Sequence, residues 1–189
     1  SFDLSDFSSV NYRGTTYNSS NPNPSGWTFA GLETDFGFAS NKMKINSDYA
    51  AINADTEDAI SEGVVIVAAA GNNNFHCVPD GNPDYSNTVT FINGISYFYN
   101  RGASPGNSLN TICVGSLSNH HNFRRSTFSN FGPLIDIFAP GNKILSAYDS
   151  SGLADNKYGG APNYYYPING TSMASPQVAG VLACLATGK

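Results

Sequence analysis

The sequence predicts an α/β fold, and three stretches predict it. A helix pattern runs from Ser47, a good N-cap residue, with Tyr49, Ile52, Ala59 and Ile60 on one face, acids on the others and a stop at Gly63. Val64–Ala70 follows at once, a short apolar run rich in valine, as expected of a parallel strand buried on both faces. A second helix follows Gly170-Thr171, with Val178, Val181, Leu182 and Leu185 at i, i+3, i+4 and i+7. Pro176 suits that helix if it falls in the first turn, where its missing N–H would be unpaired anyway.

Taken in order, residues 1–46 read as loop, with two Asn-Pro pairs and Gly14 and Gly26 as turn signals. Asn18-Ser-Ser fits the glycosylation acceptor pattern, a weak signal at any one site. Helix and strand then form one α/β unit, and Asn72 stands at the strand's carboxyl end, where ligands bind in such sheets. Residues 75–110 are an insertion. Within it, 88–99 reads as a hairpin, because Asn93-Gly94 separates two β-rich runs. That hairpin either packs its aromatics on a neighbouring surface or walls a cleft near Asn72.

Thr111–Ser116 is a second buried strand, Leu134–Ala139 a third, and Lys143–Tyr148 a fourth at an edge. His120-His121 and Arg124-Arg125 mark an exposed loop, and Ser150–Asn163 is a Gly-rich one. Tyr164–Pro167 returns the chain to the turn before Ser172. No internal repeat or linker divides residues 1–189, which are read as one domain.

Composition narrows the function. Hydrophobic residues make 40% of the 189, enough for a core, while charged residues make only 12%, about half the usual share. Gly, Asn, Ser and Tyr fill the difference, which favours use outside the cell without settling the compartment. A net charge of −5 argues against nucleic acid or an anionic membrane as partner. The longest apolar run, Val64–Ala70, is far short of a membrane span. No signal-peptide pattern opens the chain, and Ser1 in place of Met suggests a processed or excised piece. Of three cysteines, Cys113 and Cys184 read as inert core thiols, and Cys77, in a polar loop, as a free one.

Ser172 lies at a helix N-terminus, beside orphan N–H groups and a partial positive charge. Alone it reads as an N-cap, and Asn72 alone reads as a turn residue. The surrounding residues change both readings. NGTSMASPQVAG (169–180) is similar, residue for residue, to the serine block of the subtilisin-like (subtilase, peptidase S8) proteases. The resemblance continues in register through GVVIVAAAGN (63–72), TICVGSLS (111–118) and STFSNFGPLIDIFAPG (126–141). It covers residues 48 to 189 around the insertion, and residues 1 to 45 match only loosely.

The resemblance implies part of a doubly wound, mainly parallel sheet with helices on both faces, incomplete without an upstream segment. It also implies a serine endopeptidase acting on polypeptides. Ser172 would be the nucleophile and Asn72 an oxyanion donor, with Ala69, Ala70, Gly71, Gly170 and Thr171 binding substrate. Subtilisin-type chains run Asp, then His, then Ser. Here His76, His120 and His121 all follow Asn72, and Asp136 matches a family position that is not catalytic. The triad acid and base are therefore expected from a complementary upstream chain or segment, and without it Val64–Ala70 would keep an unpaired apolar edge. The alternative is a catalytically inert remnant with a structural or assembly role; an esterase fits the protease-like block poorly. No cofactor or metal site has adequate spacing. Calcium is common in that family, but its usual carboxylate loops are not recognisable here.

Overall fold

A computed structural model describes residues 3–37, 49–119, 122–148, 158–160 and 163–187. The elements are β1 (Phe7–Tyr12), β2 (Thr15–Tyr17), α1 (Phe29–Phe36), α2 (Ala50–Ser61), β3 (Val67–Ala69), β4 (Thr88–Phe91), β5 (Ser96–Phe98), β6 (Ile112–Leu117), β7 (Ile137–Pro140), β8 (Ile144–Tyr148), β9 (Tyr158–Gly160), β10 (Asn163–Ile168) and α3 (Thr171–Thr187). They form three sheets, ordered β2-β1-β4-β5, β3-β6-β7 and β8-β10-β9.

The β3-β6-β7 sheet is parallel throughout, with Val67 opposite Ile112 and Val114 opposite Ile137. Helix α3 lies across it, and Val114, Ala139 and Ala174 form the buried seam with Val67, Ile112 and Val178 around them. The expected α/β arrangement is present, as a small parallel sheet with a helix packed on it. No helix among the described residues is long and apolar enough to cross a membrane.

Several expectations need correction. Residues 1–46 are not all loop. Strands β1 and β2 close on Arg13-Gly14, both at positive φ (49° and 86°), the conformation a two-residue hairpin turn requires. Helix α1 starts at Thr28, whose side chain accepts from Gly31 N, and stops at left-handed Gly37. The insertion packs on this segment. Its hairpin, β4 and β5, pairs with β1, and Phe91 meets Phe7 at 4.8 Å between ring centres in a core shared with Val10, Leu32, Phe36, Phe75 and Tyr99. Phe91, Tyr97 and Tyr99 of the hairpin are thus spent on a neighbouring surface, while Phe98 stays exposed.

Helix α2 faces inward on a different side from the expected one. Tyr49 and Ile52 are exposed, while Thr56 is buried, Asn53 Oδ1 accepts from Ser108 Oγ and Glu57 Oε1 accepts from Leu109 N. The surface it meets is loop backbone, which rewards polar groups over apolar ones. Its N-cap is Tyr49; the expected cap, Ser47, lies outside the described residues. Gly63 does terminate it, at φ 88° with its N–H on Ile60 O. The strand after it is shorter than expected, with Val64 and Val65 left exposed. β8 does not extend the parallel sheet but pairs with β10, and β9 occupies part of the expected Ser150–Asn163 loop. Pro176 falls in the second turn of α3, where its missing N–H leaves Ser172 C=O without its i→i−4 donor.

The cysteines depart from expectation at Cys184. Cys77 is buried in the amino-terminal core and Cys113 within β6, whereas Cys184 is exposed on α3, and none is paired. Burial pushes the thiols of Cys77 and Cys113 up to about 12. Periodicity placed Cys184 on a helix correctly but could not say that its side of the helix is exposed.

Candidate active site

Ser172 is the second residue of α3 and is exposed. Asn72, also exposed, follows β3 at the carboxyl end of the parallel sheet. The structure brings the two loops together through Thr171. The backbone N–H and the hydroxyl of Thr171 both donate to Asn72 Oδ1, at 2.9 and 3.0 Å, and the same hydroxyl accepts from Gly71 N at 3.1 Å. Those donors fix which end of the Asn72 amide is oxygen, leaving Nδ2 free of that contact. A Cβ built on Gly170 would lie 3.4 Å from Asn72 Nδ2 and 3.7 Å from Ser172 N. Two N–H-bearing atoms therefore flank one small space.

Asn130 holds the Asn72 loop from the other side. Its buried side chain donates to Ala70 O at 2.7 Å and accepts from Asn73 N and Phe75 N at 3.1 and 2.9 Å, while its own N–H bonds Gly71 O. Gly71, at φ 99°, must be glycine on two grounds, since a Cβ there would also sit 2.6 Å from Asn130 Nδ2. Nothing in the sequence near residue 72 marked Asn130, because the bonds join residues 55 to 60 apart. Arg125, expected in an exposed loop with Arg124, is half-buried. It donates to Asn74 Oδ1 at 2.8 Å and to Ser129 O, and its guanidinium sits 4.5 Å over the Phe131 ring.

The serine turn is tied to the sheet as well. Gly170 N donates to Gly141 O, Lys143 N to Asn169 Oδ1 and Gln177 Nε2 to Pro140 O. Gly170 and Thr171 are buried. Thr171 is wholly so, with its hydroxyl spent on Asn72 and Gly71, so it faces the protein and not the cleft. Ala70 and Gly71 likewise commit their backbone groups to Val114, Asn130 and Thr171.

His76 lies elsewhere. Its ring packs on Phe131 at 5.4 Å and lines a cleft of about 390 Å³ with Tyr12, Arg13, Phe36 and Asp84, whose walls exclude the serine turn. His120 and His121 lie outside the described residues. Asp136 Oδ2 accepts from Cys113 N, a bond within the sheet. Among the described residues no three His, Cys, Asp or Glu side chains gather closely enough to hold a metal ion.

Comparison with known proteins bears on this geometry. A sequence model of the subtilase family matches residues 17–189, beginning some 30 residues before the resemblance visible by motif. An alkaline proteinase of Hapsidospora chrysogena is 37% identical over 144 residues, covering 76% of this chain and 27% of that protein. Subtilisin-like protease 2 of Pseudogymnoascus destructans is 35% identical over 161 residues, covering 85% and 32%. Among solved structures, a cold-adapted subtilisin-like serine proteinase aligns with TM-score 0.51 at 26% identity, over 86% of this chain and 49% of the other. A protease of Pseudoalteromonas arctica aligns with TM-score 0.54 at 29% identity, over 76% and 36%. The chain thus spans about a quarter to a third of the length of these curated relatives.

Proposed function

The chain belongs to the subtilase family, and on that premise we propose that residues 1–189 are the carboxyl-terminal part of a serine endopeptidase catalytic domain. The backbone of Ala69–Gly71 forms one wall of the pocket that takes a substrate side chain, and Ser172 Oγ attacks the scissile carbonyl carbon. As the C–O bond forms, the carbonyl π pair moves onto oxygen. Asn72 Nδ2 and Ser172 N donate to that oxyanion. The hydroxyl proton passes to a histidine supplied from outside this chain and oriented by an aspartate from the same source. Collapse of the tetrahedral species breaks the C–N bond, and the departing amine takes that proton. Water then hydrolyses the acyl-enzyme by the same route in reverse.

One observation carries the reading. Thr171 holds Asn72 Oδ1 by two hydrogen bonds, so the amide's donor end stays on the side of Ser172. Thr171 is in this reading a positioning residue, while Gly170 contributes the open space that a side chain would fill. Its charge-poor composition, rich in Gly and Tyr, suits action outside the cell.

A fluorophosphonate probe tests it, applied to this chain together with the segment carrying Asp and His. Labelling at Ser172, reduced by Asn72→Ala, is the expected result. An assembled complex with no labelling at Ser172 would overturn it in favour of an inert remnant.

A further inference from the structure

We propose that Asn18 carries an N-linked oligosaccharide, and that the fold admits sugar at this acceptor while closing the other triads of the same pattern. The proposal rests on action outside the cell and needs nothing of the catalytic reading.

Three asparagines stand two residues before a serine or threonine, in Asn18-Ser-Ser, Asn23-Pro-Ser and Asn169-Gly-Thr. Proline in the middle place closes the second, and Asn23 is buried besides. The third lies inside the serine block. Asn169 is exposed, but the hydroxyl its triad needs belongs to Thr171, which is wholly buried and bonded to Asn72 and Gly71. Asn169 Oδ1 also accepts from Lys143 N at 2.7 Å, which ties its amide to the start of β8. Sugar there would stand beside the nucleophile, three residues from Ser172.

Asn18 differs on each count. It follows β2, the edge strand of the amino-terminal sheet. Its Oδ1 accepts from Ser20 N at 2.9 Å and from Asn21 N at 2.8 Å, and its own N–H donates to Asn21 O at 2.9 Å. Those bonds turn the oxygen end of the amide to the backbone. No acceptor among the described residues takes Nδ2. Asn18 is half-buried, while Ser19 and Ser20 are exposed. The amide nitrogen and the Ser20 hydroxyl, the two groups that the pattern requires, are thus presented together. In the transfer, Nδ2 attacks the anomeric carbon of an oligosaccharide held on a lipid pyrophosphate. The N–C bond forms, the C–O bond to the pyrophosphate breaks with its electron pair left on oxygen, and one Nδ2 proton goes to a base of the transferase. The product is still an amide, so Oδ1 keeps both bonds and the turn survives.

The test expresses the full chain in a yeast behind a leader peptide. Peptide N-glycosidase in heavy-oxygen water then tags every asparagine that bore sugar, and tryptic peptides are read from both the medium and the secretory membranes. The tryptic peptide 14–42 should carry the tag at Asn18, with at least tenfold the occupancy of Asn169. Asn18→Asp keeps an acceptor oxygen for the turn and should lose the whole glycan mass. Ser20→Ala should lose it too, whereas Ser19→Ala should keep it. No tag at Asn18, equal or greater tagging at Asn169, or a glycan that survives Ser20→Ala would overturn the proposal. The host supplies the route, so such a failure leaves action outside the cell standing. No arm involves Ser172, so the catalytic reading stands or falls separately.

Discussion

The side-chain amide of Asn130 donates to the carbonyl of Ala70 at 2.7 Å. With the two amides its oxygen accepts from, it encircles the loop on which Asn72 stands. Asn130→Ala should cost about 2–4 kcal/mol, since two buried bonds and one half-buried bond vanish and Ala70 O and Phe75 N stay buried without them. Asn130→Asp keeps the acceptor for Asn73 and Phe75 and loses the donor to Ala70, so it should fall between. Urea unfolding ranks the three proteins, and a wild-type midpoint for Asn130→Ala would show that the network carries nothing.

Thr171 supplies a sharper contrast. Thr171→Val removes the hydroxyl that bridges Asn72 and Gly71 but keeps the shape, and should cost about 1–3 kcal/mol. Thr171→Ser retains the bridge. In the assembled protein the valine variant should label at Ser172 at least tenfold more slowly, and the serine variant should stay within threefold of wild type. Equal rates for both would remove Thr171 from the positioning of Asn72.

Asn72→Ala tests the oxyanion role itself. The loss expected is about 10²–10³ in kcat, the magnitude known for the equivalent donor in subtilisin. KM should change little, because the bond strengthens as charge develops on oxygen. A loss confined to KM would assign Asn72 to ground-state binding.

A pH dependence comes from the amino-terminal unit. The Arg13 guanidinium, bonded to Asp84 at 2.7 and 3.0 Å, holds that carboxyl below the usual carboxylate range, and Asn87 Nδ2 assists. A depressed pKa contributes stability above the unfolded value of about 3.9, and loses it as pH falls through the folded value. Asp84→Asn should therefore lower Tm by a few degrees at pH 7. The gap to wild type should start to narrow below about pH 4 and close as pH falls through the lowered folded value. A gap that does not narrow at all as pH falls from about 5 to 2 would point to packing and away from charge.

Thiol accessibility is the simplest measurement. In the folded chain a maleimide at pH 7 should modify Cys184 alone, because Cys77 and Cys113 are buried and burial holds both thiols protonated. In denaturant all three should react. Rapid native modification of Cys77 would contradict the packing of the insertion on β1.

Local rules were legible wherever neighbours in sequence decide the outcome. Asn93-Gly94 specifies the β4–β5 turn, Gly63 ends α2, and the valine-rich run becomes a parallel strand. Helix α1 had both its caps, Thr28 and Gly37, in plain view, yet its eight residues carry little periodicity. It is held by Leu32 and Phe36 in a core completed by residues 75–99, which no local pattern announces.

By itself the sequence determined the family, the parallel strands and the turn that presents Ser172 at a helix start, since each depends on contiguous residues. Only the tertiary structure decided that Thr171 would grip Asn72, that Asn130 would enclose its loop and that Cys77 would be buried. Those outcomes depend on which distant surfaces meet, and a hydrogen bond across 60 or 99 residues is set by the packing of whole elements.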